Sequence, residues 1–261
     1  MKLKYDRDSS SFSLLTPESA YWIGYLYGDG NCTQENKVRL CCKEEDEEIL
    51  IKFRNFIKCI HKPIKHFLSN NYSYCSFEIR DWSMIKDLSK YSLRTLKSKR
   101  GLIPLPLLQK EIARDFIRGL FDADGCFYYD GLHKNNLFAE ITGFLPAMKS
   151  IKAVLVCCGV IEENKKITRN GSIWRIRFPK NSCLKLIRFL YEGNPRYYLK
   201  RKYGLAKSYL DRLNETHEAT VEEYFRPVSG FNKGKQSEFN ERVWFTEEKA
   251  MKNYKETKKD E

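Results

Sequence analysis

No apolar run in this sequence approaches the roughly 18 uninterrupted residues that a membrane-spanning helix needs, so no such helix is expected. Histidine is scarce, at four in 261 residues, and only His61 and His66 stand close together. There is no C-x-x-C among the nine cysteines, so no structural zinc site is expected. An odd cysteine count with adjacent pairs at Cys41-Cys42 and Cys157-Cys158 does not form a disulfide framework. Reduced, buried thiols in an intracellular protein are the expectation. The opening "MKLKYDRDSSSFSLL" has no apolar stretch long enough for a secretory signal, and its two aspartates do not suit a transit peptide.

What the chain does hold is core material and positive charge. It is 42% hydrophobic and 14% aromatic, enough to pack one large domain or two smaller ones. The net charge of +13 is unevenly spread. Over residues 1–212 Lys and Arg outnumber Asp and Glu 38 to 23, while the last 49 residues hold 9 against 11. The basic field therefore belongs to the body of the protein and points to a polyanionic partner, nucleic acid first.

The sequence also repeats itself. "WIGYLYGDG" at 22–30 aligns with "IRGLFDADG" at 117–125, "FEIR" at 77–80 with "WRIR" at 174–177, and "LKSKRGL" at 96–102 with "LKRKYGL" at 199–205. Three blocks in one order, at offsets growing from 95 to 103, indicate a duplicated unit. Thr16-Pro17 is a cap and first-turn pair, so a helix is predicted over 17–28. "NCTQ" and "KVRLCC" predict a hairpin around Glu35-Asn36, followed by a helix whose apolar face is Ile49, Leu50, Phe53, Phe56 and Ile57. A second hairpin turns at Asn70-Asn71, and "WSMIKDLSKY" returns to helix. In the second half the pattern predicts helix 111–122, strands 126–130 and 136–142, helix 145–158, strands 160–168 and 172–178, and helices 180–191 and 196–212. The order αββαββα thus occurs twice, joined by the proline-stiffened "GLIPLPL".

Gly24 and Gly28, like Gly119 and Ala123, lie four apart and line one helix face, so the two helices can pack backbone to backbone. Such packing places Asp29 and Asp124 side by side. Adjacent carboxylates repel unless a cation lies between them. Hard oxygen ligands with open positions suit Mg²⁺, which also binds phosphate oxygens. Asp122 is matched by Tyr27 and falls outside this pair; it is read as a local cap or a partner for a nearby Arg.

"WIGYLYGDG" and "IRGLFDADG" resemble the paired motifs of a single-chain, two-repeat LAGLIDADG homing endonuclease, and the resemblance spans about residues 15–210. It implies an α+β fold of two pseudo-symmetric αββαββα units, each with a saddle-shaped antiparallel sheet, packed through the motif helices at Gly24, Gly28, Gly119 and Ala123. The implied division is an extension over 1–15, repeats over 16–100 and 111–212, a linker over 101–110 and an accessory or partly disordered extension over 213–261. The implied activity is metal-dependent double-strand DNA cleavage at a long asymmetric site, leaving 3′ overhangs, by a monomer.

Carried over residue by residue, the catalytic set is Asp29, Asp124, Lys99 and Lys202, with Lys97 and Lys200 as near alternatives. A solvated basic helix start is an equal reading of those lysine blocks. The metal set is Asp29 and Asp124 with Gly28 and Ala123 beside them. Mg²⁺ is the implied ion, with Mn²⁺ or Ca²⁺ able to substitute in binding. Strand alternation puts Lys37, Arg39, Arg80, Glu140, Thr142, Arg175 and Arg177 on the face opposite the helices, where they would meet DNA. Two alternatives share the scaffold, a group I intron maturase that binds RNA and a non-cleaving DNA-binding protein. The sequence ends do not carry intein splice-junction residues, and an intracellular setting is expected.

Overall fold

The computed structural model describes residues 5–33, 35–93, 100–129 and 136–215. The first half runs α1 (Pro17–Gly28), β1 (Asn31–Cys32), β2 (Lys37–Lys43), a 3-10 turn over Glu44–Asp46, α2 (Glu47–Phe56), β3 (Lys65–Ser69), β4 (Tyr72–Arg80) and α3 (Trp82–Ser89). A 3-10 turn at Leu105–Leu108 leads into α4 (Lys110–Asp124), β5 (Gly125–Tyr129), β6 (Leu137–Gly143), α5 (Leu145–Cys157), β7 (Thr168–Asn170), β8 (Ile173–Phe178), α6 (Lys180–Tyr191) and α7 (Lys200–Glu215).

The two antiparallel sheets share one topology, β1-β2-β4-β3 in the first half and β5-β6-β8-β7 in the second. Their tight turns follow from side chains that tolerate left-handed backbone. Asn70 and Asn71, at φ 49° and 65°, join β3 to β4 in the way a two-residue hairpin requires. Alternation then sorts each strand. Val38, Leu40, Cys75, Phe77 and Ile79 are buried against the helices, as are Ile176 and Phe178 in the second sheet.

Between the sheets, α1 is buried on every side from Ser19 to Gly28, so it is an interior helix. It starts at a capping box in which Thr16 and Ser19 exchange bonds, Ser19 N–H to Thr16 Oγ1 at 3.2 Å and Thr16 N–H to Ser19 Oγ at 2.8 Å. Its packing partner is α4. A Cβ on Gly24 would strike the carbonyl oxygen of Phe116 and lie 3.0 Å from Leu120 N; one on Gly119 would strike the Tyr21 carbonyl and lie 2.8 Å from Tyr25 N. The two backbones touch at these glycines, and no other residue fits at either position.

Two predicted elements differ from the structure. The strand predicted over 160–168 is reduced to Thr168–Asn170. Val160 and Ile161 instead fold back on α5, their N–H groups donating to Leu155 O at 2.9 and 3.4 Å beyond Gly159, whose φ is +68°. That is a helix C-cap, and it uses the apolar pair that suggested a strand. The last helix begins at Lys200 rather than 196, because the preceding segment is held by the contacts described below.

Candidate active site

The ends of α1 and α4 meet. A Cβ on Gly28 would run into that of Ala123 and lie 3.0 Å from Asp124 Oδ2, which puts the Asp124 carboxylate against the last turn of α1. Asp29 caps α1, its N–H donating to Tyr25 O at 2.9 Å, and is exposed, whereas Asp124 is half-buried. The glycine after each aspartate lets the chain double back over its own helix. A Cβ on Gly30 would lie 2.5 Å from Leu26 O, and one on Gly125 2.7 Å from Phe121 O. The interface set of Gly24, Gly28, Gly119 and Ala123 is thus brought together, and Asp124 lies against the residue that precedes Asp29.

Helix C-termini carry orphan carbonyls and partial negative charge, and two such ends beside two carboxylates call for cations. Lys202 provides one. Its Nζ is buried and donates to Phe121 O at 2.7 Å, Asp122 O at 2.7 Å and Gly125 O at 2.5 Å, bracketing Asp124. Burial lowers its pKa, and the fields of Asp122 and Asp29 oppose that shift. An ammonium with three carbonyl acceptors secures the loop that carries Asp124. Lys97 and Lys99 lie outside the described residues, and the side chain of Lys200 is exposed.

At α1 the corresponding cation is Arg100, a residue the repeat alignment concealed because it pairs with Tyr203. Arg100 donates to Tyr27 O at 2.8 Å and Leu93 O at 3.1 Å, with its guanidinium 4.6 Å from the Tyr27 ring centre. Burial lowers its pKa as well, against Tyr27 and Asp124. Each late cation therefore senses the aspartate of the opposite half. A cleft of about 180 Å³ opens here, lined by Tyr27, Arg100, Asp124, Thr142, Phe144 and Met148.

Asp122 is buried and ties three elements together. Its Oδ2 accepts from the Tyr21 hydroxyl on α1 at 2.8 Å and from Leu199 N–H at 2.8 Å. Burial raises its pKa, and Lys202 is the strongest opposing influence. The bonds go to a tyrosine and a backbone amide rather than to an arginine. Arg118 instead donates to Tyr197 O at 2.9 Å and Leu190 O at 3.0 Å and pairs with Asp115. From the first half, Lys52 donates to Tyr198 O at 2.8 Å, Glu48 accepts from Lys200 N–H at 2.8 Å, and Asp46 pairs with Arg201 at 2.9 Å. Every residue from 197 to 202 is gripped, and the grip delivers Lys202 to the end of α4.

The outward sheet faces carry the residues expected there. Lys37 sits across from Arg80, and both pair with Glu35 at 2.5 and 3.6 Å. Arg39 faces Glu78, Glu140 faces Arg177, and Thr142 faces Arg175. Thr142 also donates to Asp124 O at 2.9 Å, so it closes the helix end rather than reaching outward. Glu140 is only 9% exposed, covered by Arg177 at 2.9 Å. All nine cysteines are free thiols. Among the described residues no three His, Cys, Asp or Glu side chains converge as a metal site, and no helix is long and apolar enough to cross a membrane.

No protein-family model matches the chain. In sequence it is 26% identical over 163 residues to the glutamine–fructose-6-phosphate aminotransferase of Methanocaldococcus jannaschii, and 22% identical over 157 residues to the replication factor C small subunit of the same organism. These matches cover 61% and 59% of this chain but only 14% and 8% of those two proteins. In structure it is similar to the homing endonuclease I-WcaI bound to its DNA recognition sequence, with a TM-score of 0.52 at 12% identity over 72% of this chain and 86% of that one. It is similar to the LAGLIDADG meganuclease I-CpaMI bound to uncleaved DNA, with a TM-score of 0.51 at 12% identity over 90% and 98%. The I-SmaMI LAGLIDADG homing endonuclease bound to cleaved DNA gives 0.51 at 12% over 88% and 96%. Two repeated halves joined through glycine-faced helices, each ending in an aspartate, give this chain the fold of the single-chain LAGLIDADG homing endonucleases.

Proposed function

We propose that the chain is a divalent-metal-dependent endonuclease that cuts both strands of a long, asymmetric DNA site, acting as a monomer on intracellular DNA and leaving 3′ overhangs. The observation that carries this reading is the junction of α1 and α4, where Gly28 and Asp124 are in contact and Asp29 lies one residue on. A purely structural interface gains nothing from two carboxylates at two helix C-termini. The basic body, with 38 Lys and Arg against 23 Asp and Glu over residues 1–212, supports a DNA partner, as do the DNA-bound proteins that share the fold.

The donor set fits Mg²⁺. Two carboxylates, with no third acidic or imidazole ligand among the described residues, leave positions for water and phosphate oxygens, which is how this ion is usually held. When bound, the ion would supply Lewis-acid stabilisation of the attacking and leaving oxygens. Asp29 and Asp124 bind it; Lys202, Arg100 and Thr142 hold the two helix ends in place as positioning residues. The halves 16–100 and 111–212 each read one half-site.

Cleavage selection on a randomised duplex library with Mg²⁺ tests this reading, repeated with Asp29→Asn and Asp124→Asn. Each variant is expected to lose cleavage by a factor on the order of a hundred or more while still binding the selected site. A wild-type chain that binds a site tightly but never cuts or nicks it overturns the proposal. Full cleavage by both single variants overturns the shared metal site.

A further inference from the structure

The second sheet carries a buried carboxylate on the wrong face. Glu140 lies on β6 opposite the helices, where side chains are expected to meet solvent, yet it is only 9% exposed. Desolvating a carboxylate is expensive unless cations meet it. Here two do: Arg177 Nε at 2.9 Å and Arg175 Nη1 at 3.5 Å approach the same oxygen, Oε2. Arg175 Nε also reaches Thr168 Oγ1 on β7 at 3.4 Å. The Arg177 side chain remains 55% exposed and that of Arg175 22%, so the arginines form the outer layer and the glutamate lies beneath them.

The matched position in the first sheet has the charges exchanged. Asn31 pairs with Arg39 as Cys126 pairs with Glu140, since each follows the motif glycine; across the next strand, Arg39 faces Glu78 where Glu140 faces Arg177. Register is the same and polarity is reversed. A surface serving only solubility has no reason to keep a cross-strand Arg–Glu pair at this one level in both halves, with one glutamate buried.

We infer that Glu140 is a positioning residue that holds Arg177, with Arg175 beside it, as a guanine-reading pair for the half-site under the second sheet. This assignment rests on the DNA-cleaving reading above. Pairing through Nε fixes the plane of a guanidinium, and arginine held on a sheet face matches the O6 and N7 acceptors of guanine. Holding the long side chain in advance reduces the rotamer entropy lost on binding. Glu140 is too deeply covered to accept from a cytosine itself. In the first half the arginine stands on β2, the counterpart of β6, instead of on β4, the counterpart of β8, so the guanine it favours is displaced and the two half-sites are not palindromic at this level.

The test uses the full chain and a duplex library randomised across the target, with base preference read at every position for the wild type, Arg177→Lys and Glu140→Gln. Arg177→Lys keeps the charge and removes the fork. It is expected to lower discrimination at one G·C pair of the second half-site on the order of tenfold, with affinity for randomised duplex changed less than about twofold. Glu140→Gln is expected to relax the same pair and raise KM while kcat stays within about twofold, a split that general destabilisation would not produce. Unaltered preferences in Arg177→Lys, or relaxation in Glu140→Gln at a different pair, overturn the assignment. A wild-type chain that selects no duplex overturns the nuclease reading itself, which keeps the two failures apart.

Discussion

The helices that end in Asp29 and Asp124 meet glycine to backbone at their crossing, and among the described residues different cations meet their ends. At α4 a lysine ammonium gathers three carbonyls around one point. At α1 an arginine spans two carbonyls and lies on a tyrosine ring. What the two ends share among the described residues is a positive group at the negative end of each buried helix. The geometry differs in consequence. Lys202 encloses the loop holding the half-buried Asp124, while Arg100 braces the turn before the exposed Asp29.

The sharpest way to break this comparison is to separate the helices. Gly119→Ala or Gly24→Ala drives a methyl group into the partner's carbonyl, where no side-chain rotation relieves it. Each is expected to cost about 3 kcal/mol in urea or thermal unfolding. Equal losses from the two would show that the crossing is symmetric; tolerance of either would show that the helices can slide.

A smaller effect distinguishes the latches. Lys202→Met strands three carbonyls and is expected to cost about 2 kcal/mol, and Arg100→Met strands two and costs about 1.5 kcal/mol. The informative measurement is strand-specific nicking. If Lys202 chiefly holds Asp124 and Arg100 chiefly braces the Asp29 end, the two variants should not produce the same ratio of nicked to doubly cut DNA.

The smallest effect concerns Asp122. Burial raises its pKa above 3.8, so the folded state holds this proton more tightly than the unfolded chain. Its contribution to stability is complete below 3.8 and is lost as pH rises through the raised value. Asp122→Asn keeps an acceptor for Tyr21 and Leu199 and removes that slope. At neutral pH it is expected to lie within about 1 kcal/mol of the wild type, with the difference moving in the variant's favour from acid to neutral pH.

What could be read from the sequence was what is local or repeated. The glycine faces, the paired aspartates, the hairpins at Asn36 and Asn70-Asn71 and the strand alternation all leave a periodic or duplicated trace. Contacts between segments distant in sequence leave none: Arg201 meets Asp46 and Lys202 meets Phe121 across separations of 155 and 81 residues. Lys202 stood out as a repeated lysine, but its three carbonyl acceptors, which turn it inward, are visible only in three dimensions. Arg118, inside the second motif, tethers α6 and the 197 segment. Glu140 was legible as outward-facing, and its burial depends on two arginines on another strand.

The tethered segment 197–202 has a consequence for the order in which the protein is made. A chain elongated only to residue 196 already contains Asp29, Asp124 and both glycine faces, but not the lysine that closes the end of α4. On the nuclease reading, the end of α4 is completed only after both aspartates have been made. Truncation after 196 also removes the buried Ala206, Tyr209 and Leu210 of α7 and is expected to give protein that neither nicks nor cuts.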